Sequence, residues 1–256
     1  MTFDGAYALA GAATGFVVGL TGVGGGALMT PILLLVFGVA PHTAVATDLW
    51  FAAITKAVAV PVHQRGGQVD WQVVRRLWAG SLPVALATVV LVAMGARMER
   101  LDWLTRAVGV VVLIAAVGLL TAPALQRRMR ERRIEAPEAF KARQPLWTVL
   151  AGALLGLLVA LTSVGAGALG TVMILALYPL RMTPQRLVAT DIAHAIPLAV
   201  VAGSGYLIAG LVDGGMLLSM LVGSLPAVLL GSAVALRARP AWLRTALALV
   251  AFRTLA

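Results

Sequence analysis

The chain has 256 residues, 61% of them hydrophobic and 12% charged, with a mean hydropathy of +0.96 and a formal net charge of +10. Soluble domains carry about half apolar and about a quarter charged residues, so this composition excludes both a water-soluble globule and a disordered chain. The absence of cysteine removes disulfide frameworks and thiolate sites. The basic residues punctuate apolar runs instead of gathering on one polar face, which points to membrane topology and not to nucleic acid.

In chain order, apolar runs bounded by charge, Gly or Pro fall at 6–22, 27–39, 44–62, 72–94, 102–122, 146–162, 168–180, 188–209, 214–236 and 241–256. They predict an all-α polytopic membrane protein of about ten hydrophobic segments. A helix needs roughly 20 apolar residues to cross the hydrocarbon, so the short runs 27–39 and 168–180 are expected to be half-helices, broken or re-entrant. Met1 to Asp4 carry no basic residue and no small-residue cleavage site follows, so the first segment is expected to remain. The only long hydrophilic stretch, 126–145, holds Arg127, Arg128, Arg130, Arg132, Arg133, Lys141 and Arg143. Positive-inside bias makes it a cytoplasmic linker. Counting spans outward from it puts Arg65, Arg75, Arg76, Arg181, Arg186, Arg237, Arg239 and Arg244 on the same side, with Arg97, Arg100, Arg106 and Arg253 on the other. Trp71, Trp78, Trp103, Trp147 and Trp242 near segment starts read as interfacial anchors.

The two halves repeat each other. Leu20-Thr21-Gly22-Val23-Gly24-Gly25-Gly26-Ala27-Leu28 lies over Leu161-Thr162-Ser163-Val164-Gly165-Ala166-Gly167-Ala168-Leu169. Two residues further out of step, Val45-Ala46-Thr47-Asp48 lies over Val188-Ala189-Thr190-Asp191, Val69-Asp70 over Val212-Asp213, and Gly80-Ser81-Leu82-Pro83 over Gly223-Ser224-Leu225-Pro226. The reading is a first repeat over 1–125, the linker over 126–145 and a second repeat over 146–256. Five segments per repeat is an odd number, so the copies are expected to insert in opposite senses, a common build for secondary transporters with a mid-membrane site.

Glycine lowers helix stability by about 1 kcal/mol relative to alanine, so the clusters Thr21, Gly22, Val23, Gly24, Gly25, Gly26 and Thr162, Ser163, Gly165, Ala166, Gly167 are expected to interrupt their helices. Irregular backbone at membrane depth is tolerated only inside protein or along an aqueous cavity. The half-helices beginning near Ala27 and Ala168 would then aim free N–H groups and positive dipole ends at that cavity, an anion site built from backbone, with the hydroxyls of Thr21, Thr162 and Ser163 as further donors. The alternative is that the glycines only permit close packing. The ladder Gly11, Gly15, Gly19 and its copy Gly152, Gly156, Ala160 read as such a contact.

Ionised side chains are costly near the bilayer centre, about 2.5 to 3.5 kcal/mol on insertion scales, so Asp48, Lys56, Asp191 and His194 are expected to face protein or water and to have partners. Asp191 and His194, three residues apart, share a helix face and form a candidate proton-coupling pair. Lys56, two turns beyond Asp48, is the natural cation for an anionic substrate and is placed to meet a group from the other repeat. Asp48 and Asp191 are coupling or gating candidates, with helix capping the alternative for both. Asp70 and Asp213 read as caps. His42 and His63 lie at segment ends, no metal-ligand cluster or cofactor motif is present, and Gly22-x-Gly24-x-x-Ala27 lacks the strand and acidic residue of a dinucleotide site. No serine elbow or carboxylate pair suggests an enzyme.

Gly19-Leu20-Thr21-Gly22-Val23-Gly24-Gly25-Gly26, Pro31-Ile32-Leu33-Leu34, Ala44-Val45-Ala46-Thr47, the His63 to Asp70 turn and a weaker second copy from Gly156 resemble the sulfite exporter TauE/SafE family, over nearly the whole chain. The resemblance implies a bacterial inner-membrane permease for small anions, sulfite and organosulfonates being the usual substrates. The expected function is export of such an anion by alternating access at the repeat interface, coupled to protons or membrane potential, with the bilayer as partner and homo-oligomerisation left open. The competing readings are an anion channel and a non-transporting scaffold that binds partners through the linker.

Overall fold

The computed structural model describes residues 4–21, 26–63, 69–97, 121, 124–135, 137–163 and 167–237. The helices are α1 (Gly5–Thr21), α2 (Gly26–Leu35), α3 (Pro41–His63), α4 (Trp71–Arg97), α5 (Pro137–Thr162), α6 (Ala168–Leu177), α7 (Pro184–Ile208) and α8 (Gly214–Arg237), and residues 124–135 are also helical. Each of the eight named helices coincides with one expected apolar run. The runs 102–122 and 241–256 lie, apart from Thr121, outside the described residues. Parts of five helices are long and apolar enough to cross a membrane, namely Pro41–Val60, Trp71–Leu91, Pro137–Thr162, Arg186–Ile208 and Gly214–Val234. The two short runs are 10-residue helices, α2 and α6, at about 1.5 Å rise per residue half the length a crossing needs. The expected linker is not a loop: α5 begins at Pro137, so its second half continues straight into an apolar span.

Packing follows the glycines. α1 lies along α8 and α4 along α5, while α3 and α7 cross at the centre and each also contacts the neighbouring pair. A Cβ at Gly11 or Gly19 would run into the Met220 or Val228 carbonyl, and one at Gly15 would stand 2.7 Å from the Ser224 carbonyl oxygen. Gly152 and Gly156 meet Leu77 and Ser81 in the same manner, and Gly80 and Gly223 abut the Val149 and Ala8 carbonyls. Three of these contacts have a sequence-equivalent in the other pair: Gly11 against Met220 matches Gly152 against Leu77, Gly15 against Ser224 matches Gly156 against Ser81, and Gly80 against Val149 matches Gly223 against Ala8. Without a side chain the backbones close up, and dispersion contacts hold helices that hydrophobicity cannot drive together in lipid.

The central crossing has a direction. Trp50 Nε1 donates to the Gly203 carbonyl at 3.1 Å, whereas Lys56, six residues later, reaches back to Asp191. Rising numbers in α3 meet falling numbers in α7, so these two sequence-equivalent helices run antiparallel. At their heads, Asp213 N–H donates to Thr47 Oγ1 at 3.1 Å and Asp70 N–H donates to Thr190 Oγ1 at 3.0 Å, again an equivalent pair.

Candidate functional site

Along the crossing of α3 and α7, the middle of an apolar bundle carries Thr30, Asp48, Lys56, Ser81, Ser163, Asp191 and His194, each no more than 1% exposed. Burial of this many polar groups is expensive unless they pair, and the pairs identify the arrangement.

Lys56 Nζ lies 3.4 Å from Asp191 Oδ2. The cation comes from the first half of the chain and the carboxylate from the second, so this ion pair ties the halves together at their centre. The partner anticipated for Lys56 in the other repeat is therefore Asp191. His194 stands one turn further along α7, but its Nε2 faces Ser81 Oγ of α4 at 3.0 Å and its Nδ1 has no hydrogen-bond partner. The Asp191 and His194 side chains share a face without a hydrogen bond to each other, each turned toward a different helix. Trp78, expected at the membrane interface, instead turns inward and donates from Nε1 to the His194 carbonyl at 3.2 Å. Trp71 and Trp147 are exposed.

Asp48 has a different environment from its equivalent. Thr30 Oγ1 of α2 donates to Asp48 Oδ2 at 2.5 Å, and the Ser163 hydroxyl at the end of α5 lies beside the same carboxylate. Asp48 Oδ1 and Ser163 Oγ are buried with no hydrogen-bond partner, as is Asp191 Oδ1. Neither aspartate caps a helix: α3 begins seven residues before Asp48, and the cap of α7 is Thr183, whose hydroxyl accepts from Arg186 N–H. The capping expected of Asp70 and Asp213 is present, to Val73 N–H at 3.4 Å and Met216 N–H at 2.9 Å.

Of the two glycine clusters, Thr21, Gly26, Thr162, Ser163 and Gly167 are among the described residues. α5 ends at Thr162, and Ser163 adopts a left-handed φ of 56°, a conformation usually left to glycine. Gly22 occupies the equivalent position in the first copy. Thr162 donates its hydroxyl to the Leu158 carbonyl at 2.7 Å. Gly167 precedes α6 as a cap residue with no side chain to close the helix end, and its carbonyl accepts from Thr171 N–H. Thr21 ends α1 and Gly26 begins α2. Gly22, Val23, Gly24, Gly25, Gly165 and Ala166 lie outside the described residues.

A second polar cluster, not anticipated from the sequence, closes one end of the bundle. Asp70, 2% exposed, receives Arg181 Nε at 2.7 Å and a second Arg181 nitrogen at 3.0 Å, with Arg186 at 3.1 Å. Both arginines belong to the connection between α6 and the first turn of α7, so this clasp also joins the two halves.

With this geometry established, comparison with known proteins is direct. Residues 7–255 match the family model described as sulfite exporter TauE/SafE. A Bacillus subtilis (strain 168) protein described as probable membrane transporter protein YjnA is 37% identical over 234 residues, covering 91% of this chain and 90% of that relative. A second from the same organism, probable membrane transporter protein YdhB, is 26% identical over 224 residues, or 85% of this chain and 84% of the relative. No solved structure matches significantly.

Proposed function

We propose that this chain, which belongs to the sulfite exporter TauE/SafE family and is a multi-pass membrane protein, is a secondary transporter that exports a small oxyanion, sulfite or an organosulfonate, by alternating access around the buried crossing of α3 and α7. It is a carrier without a chemical step. The observation that carries this reading is the Lys56–Asp191 pair, a dry ion pair bridging two sequence-equivalent helices that run antiparallel. Antiparallel equivalents support the inverted-repeat reading of 1–125 and 146–256, and rocking one half against the other about such a centre presents it to each side in turn. The placement of 126–145 in the cytoplasm, and of the protein in a bacterial inner membrane, belongs to the same proposal and rests on the arginine bias.

The chemistry follows from charge. A small anion entering a water-poor site needs a cation and N–H donors. Lys56 provides the first, and the amino-terminal ends of α2 and α6, at Gly26 and after Gly167, provide the second. In the structure described, Asp191 occupies Lys56. Substrate binding is therefore an exchange in which the oxyanion takes the place of the carboxylate, so the ammonium is never left bare in a low-dielectric interior.

Purified protein in liposomes should move labelled sulfite. Lys56→Met alone, and Lys56→Met with Asp191→Leu, should each reduce flux at least tenfold, the double variant removing both charges so that the fold is kept. Sulfite flux unchanged in a folded double variant would overturn the assignment of this centre.

A further inference from the structure

The two halves place an aspartate at equivalent positions, but only one has a built-in counter-charge. Asp191 is met by Lys56; the residue equivalent to Lys56 in the second repeat is Ala199, so no cation comes back from α7 to Asp48. Among the described residues Asp48 takes part in no ion pair, is 0% exposed, and has one oxygen without a partner. Beside it stands a second orphan, Ser163 Oγ, also buried and held at the end of a broken helix by a left-handed backbone.

The charged and titratable groups on the elements around α3 are few. α2 has none and α1 only Tyr7; α7 brings Asp191 and His194, which turn to Lys56 and Ser81, Arg186, which turns to Asp70, and Tyr206, which donates to the Ala160 carbonyl; Asp213 at the head of α8 caps its own helix, and Arg237 is the last residue of α8. Lys56 itself lies eight residues along α3, about 12 Å by helical rise, and is paired with Asp191. A bare carboxylate in such a place is far too costly to persist. Among the described residues no side chain supplies the positive charge that would balance it.

We infer that Asp48, with Thr30 and Ser163, forms a binding site for a small monovalent cation, a proton or Na+, which does for the first repeat what Lys56 does for the second. The ligand chemistry fits either source. Asp48 Oδ1 can take a proton whose hydrogen bond goes to Ser163 Oγ, or Asp48 Oδ1 and Ser163 Oγ can coordinate Na+ at the carbonyl-rich end of α5, the negative pole of that helix. Thr30 holds Oδ2, which leaves Oδ1 as the oxygen without a partner. This inference deepens the transport reading, since it supplies the coupling ion, but the site itself is a property of the resting protein.

The test therefore begins without transport. In purified full-length protein, infrared spectra should contain a carbonyl band of a protonated, buried carboxylic acid that Asp48→Asn removes, if the cation is a proton. If it is sodium, the melting temperature should rise with NaCl relative to choline chloride, and Asp48→Asn should abolish the rise. Thr30→Val, which leaves the carboxyl in place, should shift the pH or the Na+ concentration at which the signal is half-complete by at least threefold in concentration, and it keeps the test decisive if Asp48→Asn does not fold. In liposomes that transport sulfite, the matching pH or Na+ gradient should drive flux in the wild type and lose its grip in Asp48→Asn. Absence of both signals in the wild type, or their persistence in Asp48→Asn, overturns the cation site even if sulfite moves. Failure of sulfite to move while the signals follow Asp48 instead overturns the transport reading and leaves the cation site standing.

Discussion

The scaffold of this molecule is close to symmetric and its chemistry is not. The α1/α8 and α4/α5 pairs share three equivalent glycine contacts, among them Gly80 against Val149 and Gly223 against Ala8. The charged groups within that frame have different partners: Asp191 has Lys56 where Asp48 has Thr30, and Asp70 has two arginines in addition to the helix cap and threonine hydroxyl that it shares with Asp213. On the inverted-repeat reading proposed above, the close helix pairing is kept in both halves while the charges are not.

The symmetric part is the easiest to break. Gly80→Leu and Gly223→Leu each drive a side chain into a neighbouring carbonyl, so both should abolish folded, monodisperse protein to the same degree. Gly5→Ala meets nothing within 4 Å and should leave yield unchanged. A large difference between the first two would show that the pairs are alike in shape only.

The asymmetric part gives graded effects. Removing Lys56 alone strands the buried Asp191 charge and should cost about 3–5 kcal/mol, most of it recovered when Asp191→Leu is added; thermal unfolding in detergent measures both. At the ends, Asp70→Asn gives up a charge-assisted hydrogen bond from Arg181 and ion pairs to two half-exposed arginines that can turn to water, a loss of about 1.5–3 kcal/mol. Asp213→Asn gives up the charge at one cap and should cost about 0.5 kcal/mol, since asparagine caps well. Equal losses at Asp70 and Asp213 would mean that the arginine clasp contributes nothing to holding the halves together.

Much of this was legible in the sequence, and the rest fails for identifiable reasons. Apolar runs locate α1 to α8 because lipid demands long uninterrupted hydrophobic stretches, and the glycine ladders mark the tight pairs because only small residues let backbones meet. Lys56 was marked for a distant partner by the absence of an acid at i±3 or i±4 on its own helix. Thr30 and Ser81 were invisible. In an apolar helix a hydroxyl usually returns to the carbonyl one turn back, as Thr14, Thr55, Thr148 and Thr171 do here, so nothing in the sequence distinguishes the few that turn toward another helix. The Asp70 clasp was hidden for a related reason: Arg181 and Arg186 read as topology markers, and their target is 111 and 116 residues away.

A small effect is expected at Ser163, where the first copy has Gly22. A left-handed backbone costs an L-residue roughly 1–2 kcal/mol, and glycine, which occupies this position in the first repeat, escapes that cost while losing about 0.5–1 kcal/mol of chain entropy. Ser163→Gly should therefore raise thermal stability slightly, by about 0–1.5 kcal/mol, and should weaken whichever cation signal depends on Asp48. A serine retained against its own backbone preference is explained by a hydroxyl that does something there. If Ser163→Gly is less stable than the wild type and leaves the Asp48 signals untouched, the hydroxyl instead contributes to packing, and the difference between the two copies at this turn has no bearing on the ion.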